Sequence, residues 1–131
     1  MINLYINERG AGEVTVLDLK GRIRIGGSTT ALHRSIRCLV GEGKTQILLD
    51  LAGVTHIDSS GLGELIASRM TLSNKGGVIK LINLTERLRD LMTISKMLMV
   101  FDVYDNESEA LASFPGEVVS TASPLALCGQ K

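Results

Sequence analysis

Aromatic side chains make up only 3% of the 131 residues, with no tryptophan, two tyrosines and two phenylalanines. So few ring faces leave no stacking platform for nucleic-acid bases. Charge of one sign is missing as well: 14 Lys+Arg stand against 14 Asp+Glu, a formal net charge of +0. A nucleic-acid binder needs a basic footprint, and this chain has none. Long hydrophobic runs are absent, Met97–Phe101 being the longest, far short of a membrane span. The opening MINLYINERGAGE has neither a basic segment nor an apolar stretch of signal-peptide type. Cys38 and Cys128 lie far apart without CxxC spacing, which argues against a disulfide or thiolate-metal framework and fits a reducing cytosol. The expected location is cytoplasmic, with no direct membrane insertion and no nucleic-acid partner.

What is present is enough chain for one domain with a core and too little for two. Ile2, Leu4 and Ile6 alternate with polar neighbours and predict an edge strand. Gly10-Ala11-Gly12 makes a turn. Val14 to Gly21 is apolar on most positions of both faces, so it predicts a strand further inside the sheet. Gly26 to Thr30 reads as a turn running into a helix N-terminus, and Leu32, Ile36, Leu39 and Val40 give that helix its stripe. Gly41-Glu42-Gly43 stops it. Asn74-Lys75-Gly76-Gly77 closes a later helix, and Val78, Ile79, Leu81 and Ile82 predict another buried strand. Thr85 is placed to cap a helix with the stripe Leu88, Leu91, Met92 and Ser95. Met97–Phe101 with Val103-Tyr104 forms a last strand or its approach, and a short helix from Asn106 or Ser108 carries Ala110, Leu111 and Phe114. From Pro115 the composition loses all period. Residues 1–114 therefore read as one domain and 115–131 as a flexible tail.

The order of elements predicts an α/β (α+β) domain with a mixed sheet and helices packed mainly on one face. Its centre is Gln46 to Gly63, QILLDLAGVTHIDSSGLG. Ile47–Leu51, closed by Gly53, reads as a short strand buried on both faces. Leu62, Leu65, Ile66 and Met70 then stand at helical spacing. Between them lies the polar knot Asp58-Ser59-Ser60-Gly61, where a strand hands over to a helix.

Three chemistries compete for that knot. Capping alone explains the residue types, because Asp and Ser side chains accept the free N–H groups of a first helical turn. A phosphoacceptor serine is the second, since a helix N-terminus favours a phosphate. A nucleophilic serine is the third: His56 lies three residues before Ser59, but there is no GxSxG elbow and no acid to orient the imidazole. Gly61 and Gly63 leave the turn without bulk for the approach of another molecule. Gly43-Lys44-Thr45 fails as a phosphate-binding loop because Cys38 replaces the first glycine and the helix precedes the strand. Arg34, Arg37 and Lys44 form at most a small basic patch, and Met92, Met97 and Met99 read as core filler.

The segment Val54–Gly63, VTHIDSSGLG, closely resembles the signature of STAS domains, in particular bacterial anti-sigma factor antagonists. The resemblance runs from about Leu4 to Phe114 and includes Val16–Gly21, Ile47–Leu51, Gly76-Gly77 and Glu109–Leu111. It implies a STAS-like sheet of four to five strands with flanking helices, and a regulator that is not an enzyme and needs no cofactor or metal. It implies that Ser59 is the phosphoacceptor of an anti-sigma factor with serine kinase activity, and that a metal-dependent serine phosphatase reverses the modification. Unphosphorylated, such a domain binds the anti-sigma factor and frees the sigma factor. Asp58, Ser60, Gly61, Leu62 and Gly63 would support the phosphosite or meet the partner, with Asp58 fixing the turn and Ser60 capping the helix. Many relatives carry an acidic residue shortly after the glycine of the second strand; here Arg24 reverses that charge, and if that position faces the partner, the resemblance implies a partner of different charge pattern. An alternative is a non-phosphorylated adaptor serving a lipid-transport or membrane-transporter complex.

Overall fold

The apolar runs of the sequence become neighbours in one sheet. A computed structural model describes residues 4–24, 27–96 and 99–114. Ile2, Gly26, Met97-Leu98 and the expected tail from Pro115 lie outside the described residues. The elements are β1 (Leu4–Ala11), β2 (Val14–Ile23), α1 (Gly27–Gly41), β3 (Gln46–Ile57), α2 (Ser59–Asn74), β4 (Val78–Ile82), α3 (Glu86–Ile94), β5 (Asp102–Tyr104) and α4 (Glu107–Ser113). The sheet order is β1-β2-β3-β4-β5. β1 is the antiparallel edge strand, and the remaining neighbours pair in parallel.

Burial on both faces accounts for the near-continuous apolar strands. Leu49 and Leu48, adjacent in β3 and both fully buried, enter different cores. The larger core joins Leu17, Leu49 and Leu81 of the sheet to three helices: Leu32 and Ile36 of α1, Leu65 and Leu72 of α2, Leu88 and Met92 of α3. The smaller joins Val16, Leu48 and Ile82 to Ala110 of α4 and to Phe114. Three helices thus lie on one face and the short α4 on the other.

Several boundaries differ from the sequence reading. β3 does not close at Gly53 but runs twelve residues to Ile57. β2 likewise continues through Gly21 to Ile23. The reason is irregular pairing: Asp18 faces Asp50 but Lys20 faces Gly53, and Gly21 faces Val54 but Arg22 faces His56. β3 therefore spends two more residues than β2 over the same span, and such bulges hide the two-residue period while adding twist. The Thr55 hydroxyl donates to the Gly21 carbonyl at 3.2 Å beside the second shift. Ser95 is exposed as the C-cap of α3 rather than part of its stripe, and Met99 is exposed rather than core filler.

Charged side chains fasten the α4 side of the sheet. Arg9 of β1 donates from Nε to Asp18 of β2 at 2.8 Å and reaches Glu107 of α4 with both terminal nitrogens at 3.0 and 2.6 Å. Paired donors of this kind fix geometry as well as charge. Further along, the nearly buried Lys80 ammonium lies 3.0 Å from Asp102 and within 5.5 Å of the Tyr104 and Phe114 ring centroids. It ties β4 to β5 and to the end of α4.

The Arg9 guanidinium holds the Asp18 and Glu107 carboxyls below their ordinary values, by hydrogen bonding first. A carboxylate with a depressed folded pKa stabilises the fold above its unfolded pKa and ceases to do so as pH falls through the folded value. All three side chains keep about a third of their exposure, so screening limits the combined effect to about 1 kcal/mol. Urea titrations of the wild type and Arg9→Leu should differ at pH 7, and the difference should fade as pH drops below about 4.

Candidate functional site

Each parallel strand ends at the same edge of the sheet, and the helix that follows starts there. That carboxyl edge gathers the starts of α2, α3 and α4, each with a side-chain cap: Asp58 accepts from Gly61, Thr85 from Leu88 and Asn106 from Glu109. In open α/β sheets this edge is where ligands bind.

Asp58 is the single residue between β3 and α2. Its backbone is extended, its N–H donates to the Ile23 carbonyl of β2 at 3.2 Å, and its carbonyl accepts from Leu62 N–H at 2.9 Å. Its Oδ1 accepts from Gly61 N–H at 2.9 Å, so the carboxylate closes the first turn. Three bonds from one residue thus fix where the chain leaves the sheet and how the helix begins. Ser59 and Ser60 are the first two helical residues, Ser59 exposed and Ser60 half-buried. The cap is Asp58 and not Ser60, which corrects the expected division of roles. The short aspartate, already extended, reaches the third amide of the turn, whereas Ser60 lies inside the helix.

The two glycines of the motif differ. Gly63 is exposed, and a Cβ there would meet nothing within 4 Å. Gly61 is buried: a Cβ would lie 2.4 Å from the Ile23 carbonyl oxygen and 2.6 Å from Ile57. The expectation that Gly61 leaves room for a second molecule is therefore corrected, because β2 and β3 already fill that room. The helix stripe also turns. Gly61, Leu65, Ser68 and Leu72 are its buried positions, Leu62 and Ile66 flank them, and Met70 is 57% exposed. Small residues at 61 and 68 let α2 pack closely, and an apolarity count passes over them.

Arg24 is exposed and follows Ile23 directly, which brings it to the Asp58 junction. Its backbone N–H donates to Ser28 Oγ at the start of α1. Two arginines near the junction carry no signal in the sequence that marks them as parts of a site. Arg22 faces His56 across the β2–β3 pair. Arg87 of α3 lies 3.2 Å from His56 Nε2. Arg87 is legible only through topology, because parallel order places the start of α3 beside the end of β3. Arg87 occupies a His56 ring nitrogen, which removes support for His56 as a base toward Ser59. On the neighbouring helices Glu64 accepts from Ser68 and pairs with His33 at 3.1 Å, linking α2 to α1.

Among the described residues no helix is long and apolar enough to cross a membrane. Comparison with known proteins returns the STAS domain family over residues 5–110. A Thermotoga neapolitana protein named among the anti-sigma factor antagonists is 33% identical over 75 residues, covering 57% of this chain and 66% of that protein. The anti-sigma F factor antagonist of Paenibacillus polymyxa is 32% identical over 74 residues, covering 56% and 62%. Each match spans less than two thirds of the relative's length. Among solved structures, the Bacillus cell fate determinant SpoIIAA in its phosphorylated form superimposes with a TM-score of 0.64 at 20% identity, covering 82% of this chain and 97% of that one. That likeness establishes the fold.

The geometry separates the glycines by experiment. Gly61→Ala should lower stability by roughly 2–4 kcal/mol, because backbone rather than a flexible side chain blocks the new methyl. Gly63→Ala should be neutral or stabilising by up to about 1 kcal/mol, as alanine favours an open helical position. Urea denaturation of both variants provides the check.

Proposed function

The chain belongs to the STAS domain family, and from that premise we propose that it is an anti-sigma factor antagonist switched by phosphorylation of Ser59. The observation that carries this reading is the exposed Ser59 at the first helical position of α2, capped by Asp58. Unphosphorylated, the domain binds an anti-sigma factor that is also a serine kinase, and the sigma factor is released. The kinase supplies nucleotide and catalytic base, since phosphoryl transfer asks little of the acceptor beyond position. This chain is thus substrate and ligand rather than enzyme, and it acts in the cytoplasm. A metal-dependent serine phosphatase resets it.

Residue roles follow from the junction. Asp58 holds the turn so that Ser59 projects outward. The leading amides of α2 have no intrahelical acceptor by virtue of position, and the helix dipole favours negative charge beside them. A phosphoryl group of nearly two charges is therefore tolerated by the domain itself. Gly63 and the half-buried Leu62 and Ser60 provide surface that a partner can cover, and Arg24 faces that partner with a positive charge. The same charge that the domain accommodates disfavours the complex, where a partner closing over Ser59 must desolvate it.

Calorimetric titration against the cognate anti-sigma factor kinase tests the switch. Ser59→Ala should bind as the wild type does and resist phosphorylation. Ser59→Asp should lose roughly a hundredfold in affinity, equal to about 2.7 kcal/mol, within the several kcal/mol that unfavourable interface charge can cost. Equal affinity for all three proteins contradicts the switch and leaves the adaptor reading in its place.

A further inference from the structure

A groove of about 420 Å³ opens between the end of β3 and α3, lined by His56, Ile57, Arg87, Leu88, Leu91 and Ile94. Resting on the functional reading above, we propose that this groove is a second docking point for the kinase, receiving an apolar side chain flanked by a carboxylate. Three features of the groove specify that occupant.

The first is uncovered apolar surface. Leu88 and Ile57 form a floor that belongs to the main core, while Ile94 on the wall is 78% exposed. An isolated exposed leucine or isoleucine is ordinary on a protein surface. Here the exposed side chain borders a concave site with an apolar floor, the arrangement that accepts an anchoring side chain.

Charge is the second. Arg87 is exposed at the rim beside His56, and His56 faces Arg22 in the sheet register. Arg24 continues the basic edge from β2 toward the Asp58 junction. The carboxylates nearest on α3 are Asp90, which lines the groove, and Glu86, which opens the helix. Asp58 is already engaged with its own first turn. Arginine over lysine at such a rim favours planar carboxylate pairing. An acidic group on the partner complements this edge, whereas a basic group is opposed by it.

Continuity is the third. Ile57 lies two residues before Ser59 on a chain fixed by Asp58, so a protein that covers Ser59 reaches the groove without crossing other surface. The groove would set affinity and partner choice, leaving Ser59 to set the state of the switch.

The test uses the full chain and, as probes, the purified anti-sigma factor kinases encoded in the same genome, each with bound ADP. Arg87→Glu should weaken binding roughly tenfold or more, and Ile94→Ser several-fold, with circular dichroism unchanged because both side chains are exposed. Arg87→Lys, which keeps the charge without the planar fork, should bind between Arg87→Glu and the wild type, and Met70→Ser, exposed but outside the groove, should have no effect. In a carboxylate-to-arginine scan of the kinase surface, one substitution should restore binding to Arg87→Glu. If Ser59→Asp weakens the complex but Arg87→Glu and Ile94→Ser bind as wild type, the groove proposal is wrong and the switch stands. If the wild type binds none of the kinases, both are wrong.

Discussion

The site depends on one close approach, the start of α2 against the last residue of β2. The Ile23 carbonyl accepts the Asp58 N–H at 3.2 Å and lies where any side chain at position 61 would have to sit. Only glycine permits that distance. From this contact follow the direction in which α2 leaves the sheet and the use of Asp58 as cap. The outward placement of Ser59 follows in turn. The two register shifts between β2 and β3 belong to the same constraint, because they bring the longer strand level with the shorter one at Ile23 and Ile57.

Much of this is legible in the sequence, for identifiable reasons. Buried parallel strands are apolar on both faces, so Ile47–Leu51 and Val78–Ile82 stand out without any period. Thr85 and Asn106 are readable as caps because a side-chain oxygen just before a helical stripe meets the free amides of the first turn. The edge position of β1 follows from its alternation. What stays hidden depends on contacts distant in the chain. Gly53 looks like a strand end because a bulge and a turn share the same residue preferences. Gly61 looks like open space because its neighbour, Ile23, is supplied by another strand. Met70 looks buried because Gly61 and Ser68, which do face the core, contribute nothing to an apolar count. Arg87 and His56 meet only through strand order.

The chemistry of the site is correspondingly simple. It presents an exposed serine at the capped start of a helix suited to negative charge, near Arg22, Arg24 and Arg87. The Arg9–Asp18–Glu107 cluster and Lys80 stabilise the scaffold on the α4 side of the sheet, whereas Ser59 stands exposed at its carboxyl edge. Such a division lets a modification change binding while leaving the fold in place, which is what a reversible switch requires.

The most direct test of that claim is an amide NMR comparison of the unmodified chain with one carrying phosphoserine installed at position 59. A switch that acts through local charge on a preformed site predicts shift changes confined to the β3–α2 junction and the adjoining ends of β2 and α3. Changes spread through the strands of the sheet, or loss of signal dispersion, would contradict it and point to a conformational rearrangement instead.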